Sequence, residues 1–461
     1  MRRLLFAALV ATPLLTTSAQ AAEDAHVRAL AAGYKANFLC SDLFNAGLTE
    51  AQATEWDLEG IYPEYQTVIR TLEAKVDRQA RTVSVAFDPM LPPRLAAWRP
   101  GLGCTSLPIG AGPDAIAALP KLKIKPPSAV GKAWPDGDEG ATATPLAPVA
   151  AALDQAISKA FDPAVQGEGP RTTAVLVIRD GKIVVERYVE GFGPQTPQRT
   201  WSAAKSMTAT MVGRAVQLGK LKVDAPARVP EWPAGDPRRA ITLANLMHMN
   251  SGLWTDGPGN RTDELYAGGA LVTQTATVMP LEAAPGTRFR YANNDTLLAM
   301  RSVRAAMGDG EAALNFPFQE VFWKIGMLHT VPETDWQGNY ILSSQVWTTA
   351  RDLGRLGLLY MNDGVWNGER LLPQGWSKFV ATPAQTQPDS GPGYGAFFWL
   401  YGAAQGLPAD TYVMNGNRGQ YVFIVPSKNT IIVRRGFDKA GAKAFDLAGF
   451  AREVLAALEA R

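Results

Sequence analysis

The chain has 461 residues, 46% of them apolar, and 45 Lys and Arg stand against 43 Asp and Glu for a formal net charge of +2. That length leaves room for one small domain and one large one. The mixed, near-neutral charge gives no basic stripe for nucleic acid and no cationic face for a membrane surface, so neither is expected as a partner.

The first stretch reads MRRLLFAALVATPLLTTSAQAAED. Two arginines precede a short apolar run from Leu4 to Leu15, and Ala19-Gln20-Ala21 supplies small residues for cleavage. This is the form of a secretory signal peptide over residues 1–21, and it predicts export to a bacterial periplasm or beyond. The run contains Pro13 and is too short to span a bilayer, and no long uninterrupted apolar stretch follows. No stable membrane insertion is expected.

Residues 22–119 read as a small N-terminal domain, with a strand over RTVSVAFD and no catalytic spacing. It holds both cysteines of the chain, Cys40 and Cys104. In an oxidising compartment such a pair predicts a disulfide, which would stabilise by on the order of 4 kcal/mol if unstrained. Residues 120–148 are rich in Pro, Gly and Lys and read as a linker, either coil or an extended wrap.

The third unit, 149–461, opens with a helix from Ala150 to Phe161. TTAVLVIRDGKIVVERYVE gives two apolar strands around Asp180-Gly181, a hairpin signal, and QYVFIVPSKNTIIVRRG gives a second pair near the end. A helix is expected from Ser202 to about Leu218, and another closes the chain. Strands at both ends with helices between predict an α/β (α+β) domain, one antiparallel sheet flanked by helices.

The helix at 202 carries Ser202 and Lys205 in RTWSAAKSMTATMVG. Positions i and i+3 share a helix face, so the side chains can meet. One reading is an N-cap serine with an exposed lysine. The other is a nucleophile at a helix start, with a desolvated amine as its base. Two features favour the second. Ser202 is the one serine with lysine three residues on, and Met207, Met211 and Leu218 mark a packed helix.

Other inventories do not assemble. His26, His248 and His329 stand at no metal spacing, and no serine has glycine two residues later. No metal and no organic cofactor are expected. His248 and His329 read as structural, and Trp254 and Trp347 as candidates for a cleft wall. A tyrosine is available in Tyr291-Ala292-Asn293, after a Pro-Gly turn. It could relay the serine proton, and Asn293 could donate to a substrate amide. Tyr360-Met361-Asn362 has the same spacing but follows a leucine-rich helical run and reads as core.

Taken in order, RTWSAAKSMTATMVG, LANLMHMNSGL, PGTRFRYANND and GNRGQYVFIVPSKNTIIVRRG resemble the serine β-lactamase and DD-peptidase superfamily. The branch is the class C type, with 6-aminohexanoate-dimer hydrolases and related esterases, and the resemblance runs from about residue 150 to 455. It implies a helical insertion domain, an acyl-enzyme on Ser202, Lys205 as general base and Tyr291 as proton shuttle. The family's Lys-Thr-Gly or His-containing triplet is matched by Asn417-Arg418-Gly419, followed by Gln420. At that place Asn417 and Gly419 are expected at the substrate, with Arg418 joining them if a turn aims it inward, although strand alternation favours Arg418 facing outward. The oxyanion hole would be the Ser202 and Gln420 backbone N–H groups. Without the lysine, a small or peptide-like amide or ester is expected as substrate. The rival is a catalytically weak penicillin- or peptidoglycan-binding protein that does not turn over.

Overall fold

The computed structural model describes residues 14–255 and 262–460, with side chains from residue 25 onward. The charged and apolar parts of the expected leader, residues 1–13, lie outside the described residues. Helix α1, Leu14–Phe44, packs on a four-stranded antiparallel sheet, β1 Ala74–Asp77, β2 Thr82–Val85, β3 Arg94–Arg99 and β4 Gly103–Ser106, in that spatial order. Helices α2, Glu50–Trp56, and α3, Pro63–Thr71, join them. Thr49 starts α2 with a reciprocal capping box to Gln52. Cys40 on α1 and Cys104 on β4 form the expected disulfide, closing a 64-residue separation.

Residues 120–148 do not form free coil. Trp134 is buried and donates its indole N–H to Gly181 O at 2.9 Å. Arg355 donates to Pro135 O at 2.7 Å and to Gly137 O at 2.8 Å. The segment is an extended wrap, its backbone carbonyls satisfied by the unit beneath.

Helices α4, Ala147–Phe161, and α5, Pro163–Gln166, lead into β5, Thr172–Arg179, and β6, Lys182–Tyr188. The short β7, Gln198–Arg199, and a 3₁₀ turn, Trp201–Ala203, precede α6, Ala204–Gln217. A mostly helical region follows, with α7 Leu243–Met247, α8 Asp263–Tyr266, α9 Val272–Thr275, α10 Asn293–Met307 and α11 Glu311–Pro317. The strands β8, Val331–Pro332, and β9, Val346–Thr348, join β7 in a small sheet ordered β7-β9-β8. Next come α12, Ala350–Met361, a hairpin of β10, Val365–Trp366, and β11, Glu369–Arg370, and then α13, Trp376–Val380.

The last strands complete the main sheet: β12 Gly393–Tyr394, β13 Trp399–Leu400, β14 Tyr412–Gly416, β15 Gln420–Val425 and β16 Thr430–Gly436. Helix α14, Leu447–Ala457, ends the chain. The sheet order is β12-β13-β14-β15-β16-β5-β6, antiparallel throughout. Strand β5, from the start of the unit, therefore pairs with β16, from its end. Alternation along β5 sends Leu176 and Ile178 into the core with α6 and α12, and Val175 and Val177 into the core with α4 and α14. Both sheet faces are thus covered by helices, as the two hairpins predict.

Candidate active site

Ser202 does not open the α-helix. It sits in the 3₁₀ turn before α6, and its neighbour Trp201 has φ +48, a conformation rare for a bulky residue. Packing holds Trp201 there. Its ring lies 5.8 Å from Phe38 and 6.4 Å from Tyr62, centroid to centroid, and the Arg199 guanidinium lies 4.0 Å over it. The turn presents Ser202 to a cavity while Lys205 points inward, 1% exposed.

Lys205 Nζ lies 3.1 Å from Ser202 Oγ. It also donates to Asn293 Oδ1 at 2.5 Å and to the Ser343 carbonyl at 3.0 Å. Burial pushes the lysine pKa down to about 7, because the charged form loses its hydration. A neutral amine has two N–H donors and one lone pair. The two carbonyl oxygens take the two protons, which leaves the lone pair facing the serine hydroxyl.

Tyr291 precedes α10 and lines the cavity with Ser202. Its ring centroid lies 5.0 Å from Lys205 Nζ, and the ring packs on Tyr394 and Trp399. Burial raises its pKa above the usual phenol value, and the neighbouring Ser202 hydroxyl only partly offsets this. Tyr291 is therefore a neutral hydroxyl near pH 7. Asn293 is the first residue of α10 and lines the cavity, and its amide oxygen accepts from Lys205.

Residues 417–419 form a turn between β14 and β15, so strand alternation does not apply to them. Arg418 does not face the cavity. It is 4% exposed and donates to Asp57 Oδ1 at 2.7 Å, with further bonds to the Trp56, Glu59 and Asp438 carbonyls. The buried carboxylate of the N-terminal unit draws it away from the site. Gly419 has φ +93, and a Cβ there would lie 1.9 Å from Arg434 Nη1, so this glycine makes room for an arginine and not for substrate. The side chain of Gln420 is buried away from the cavity, where its amide donates to Arg418 O at 3.0 Å and accepts from Arg435 Nε at 2.6 Å.

Strand β14 approaches the Ser202 turn. A Cβ on Gly416 would lie 2.2 Å from Thr200 O and 2.9 Å from Ala203 N, so only glycine allows this contact. Asn415 and Asn417, on either side, line the cavity.

The cavity has a volume of about 360 Å³. Several of its walls carried no sequence signal: Arg199 and Trp399, and Tyr34, Phe38 and Tyr62 from the N-terminal unit. Trp347 is buried in β9 and Trp254 is exposed, and neither reaches the cavity. His248 is part-buried, its Nδ1 3.1 Å from Gly395 O. Among the described residues no three His, Cys, Asp or Glu side chains gather as a metal site would require.

The family model described as Beta-lactamase matches residues 157–435. A 6-aminohexanoate-dimer hydrolase from Paenarthrobacter ureafaciens is 25% identical over 318 residues, covering 63% of this chain and 79% of the relative. A family VIII carboxylesterase structure covers 68% of this chain and 98% of its own, with TM-score 0.53 and 16% identity. A class C β-lactamase structure covers 68% and 97%, with TM-score 0.52 and 17% identity. These two likenesses show the shared fold. With the matched segment spanning the serine, the lysine and the sheet that faces them, the chain belongs to the beta-lactamase family and is a serine hydrolase.

Proposed function

We propose that this chain is an exported amide or ester hydrolase that works through an acyl-enzyme on Ser202. The observation that carries the reading is the orientation of Lys205, whose two amine protons are held by Asn293 Oδ1 and Ser343 O while Ser202 Oγ stands 3.1 Å away. Neutral Lys205 takes the Ser202 proton as Oγ attacks the substrate carbonyl. The oxyanion lies against the backbone N–H of Ser202 and that of Asn417, which follows the close-packed Gly416. The proton returns to the leaving group through the Tyr291 hydroxyl, and the C–N or C–O bond breaks. Water then attacks the acyl carbon, gives up its proton by the same relay and releases Ser202.

The names of the relatives support this substrate class, one being a 6-aminohexanoate-dimer hydrolase and one a carboxylesterase. Export is supported by the leader composition and by the Cys40–Cys104 disulfide. Among the described residues no helix is long and apolar enough to cross a membrane. The test is intact-mass analysis after treatment with a fluorophosphonate. One adduct is expected on the wild-type chain and none on Ser202→Ala. An adduct that survives the substitution sinks the reading.

A further inference from the structure

Arg199 is a cation beside the nucleophile that the reaction above does not use. It ends β7, three residues before Ser202, is 3% exposed and lines the cavity. Its guanidinium carbon lies 4.3 Å from the Phe38 ring centroid and 4.0 Å from that of Trp201. Rings from two parts of the chain thus hold the group in place. Nε donates to Ser344 O at 3.4 Å, and Nη2 donates to Ser344 Oγ at 2.7 Å. Among the described residues, Nη1 makes no hydrogen bond and no carboxylate pairs with Arg199.

A buried charge without a counter-ion keeps an unmet demand for an acceptor, and here that demand faces the cavity. Arg418 pairs with Asp57 and Arg434 with Asp438, whereas among the described residues Arg94, Arg99 and Arg435 are buried on carbonyl, hydroxyl and amide acceptors alone. Arg199 differs from these three in lining the cavity beside Ser202. The acids near Arg199 have other partners or are held up by burial, and Glu333 accepts from Ser41 Oγ, Asn45 Nδ2 and Cys104 N. Asp57 serves Arg418. Burial holds the Asp42 carboxyl well above the usual carboxylate range. Asp263 also lines the cavity and accepts from the Tyr65 hydroxyl at 2.7 Å, but forms no ion pair with Arg199.

We propose that the open Nη1 edge of Arg199 anchors a carboxylate carried by the substrate, with Phe38 of the N-terminal unit as the wall of that subsite. The ligand class is a short amide or ester bearing a free carboxylate on one side of the scissile bond. A carboxylate there completes an ion pair inside a mostly aromatic cavity, where water competes poorly. The family match begins at residue 157, so Phe38 is an addition to the shared fold. The proposal rests on Ser202 as the nucleophile.

The experiment uses two matched pairs of esters. On the acyl side, mono-p-nitrophenyl glutarate is compared with p-nitrophenyl butyrate. On the leaving side, meta-carboxyphenyl butyrate is compared with phenyl butyrate. The wild-type enzyme should prefer the acid member of one pair by about tenfold or more in kcat/KM. Arg199→Gln should cut that acid-to-neutral ratio by about tenfold, and Arg199→Lys should cut it less. A wild-type enzyme that prefers neither acid, or a preference that survives Arg199→Gln, overturns the proposal. Should Arg199→Gln not fold, inhibition of the wild type decides. Hexanoate should then inhibit about tenfold more tightly than hexanamide, and equal inhibition overturns the subsite. Fluorophosphonate labelling of Ser202 is run alongside. Absence of labelling indicts the nucleophile, whereas labelling without acid preference indicts the subsite alone.

Discussion

The side-chain oxygen of Asn293 accepts a hydrogen bond from Lys205 Nζ, joining the first residue of α10 to a lysine 88 positions earlier. The contact matters for charge, because an amide oxygen orients an amine without adding a negative charge that would keep it protonated. Asn293→Asp should therefore raise the lysine pKa. The rising limb of kcat/KM against pH should move up by about one unit or more, and activity near pH 7 should fall about tenfold. A profile superimposable on the wild type would remove Asn293 from this role.

Tyr291 predicts a dependence on the leaving group. An amide nitrogen must be protonated to leave, whereas p-nitrophenolate leaves as the anion. Tyr291→Phe should lower kcat/KM for an anilide or alkyl amide by about a hundredfold or more, and for a p-nitrophenyl ester by less than about tenfold. Equal losses on both substrates would mean that Tyr291 only shapes the cavity.

The meeting of Ser202 and Lys205 was legible in the sequence because their relationship is local, three residues apart. The main sheet was legible because both of its hairpins announce themselves through apolar runs around tight turns. The Ser343 carbonyl on Lys205 and the Asp57 carboxylate on Arg418 are contacts between segments 138 and 361 residues apart, and nothing local encodes them. The segment Asn417 to Gln420 stands where the family triplet does in chain order and keeps only its glycine, yet the glycine that touches the Ser202 turn is Gly416. One hairpin turn placed a few residues off redirects Arg418, Gly419 and Gln420. The N-terminal unit showed no catalytic spacing, and it contributes none. It contributes walls, which need shape rather than spacing.

Arg418 and Asp57 form an ion pair 2% and 0% exposed, linking the turn after β14 to the N-terminal unit. Arg418→Ala leaves Asp57 buried without its counter-charge. A loss of about 3–5 kcal/mol is expected in urea unfolding. Replacing both residues with apolar side chains of similar volume should recover most of it. Wild-type stability in Arg418→Ala would show that the pair does not form.

Tyr62 lines the cavity, and its hydroxyl accepts from Asn417 Nδ2 at 3.1 Å. Tyr62→Ala removes part of the wall beside Ser202. The octanoate-to-acetate ratio of kcat/KM for p-nitrophenyl esters should rise about fivefold or more. An unchanged ratio would mean that the acyl chain lies elsewhere in the cavity.

The central claim is that Lys205 acts as a neutral amine, and the pH dependence of acylation tests it most directly. Below its folded pKa the lysine is protonated and has no lone pair for the serine proton. The burst rate with a p-nitrophenyl ester should therefore rise with pH along a limb centred at about 7 and then stay level until the phenols titrate. Arginine cannot give up its proton, so Lys205→Arg should lower the plateau by about two to four orders of magnitude. A burst rate in Lys205→Arg close to wild type, with the same limb, would contradict the account.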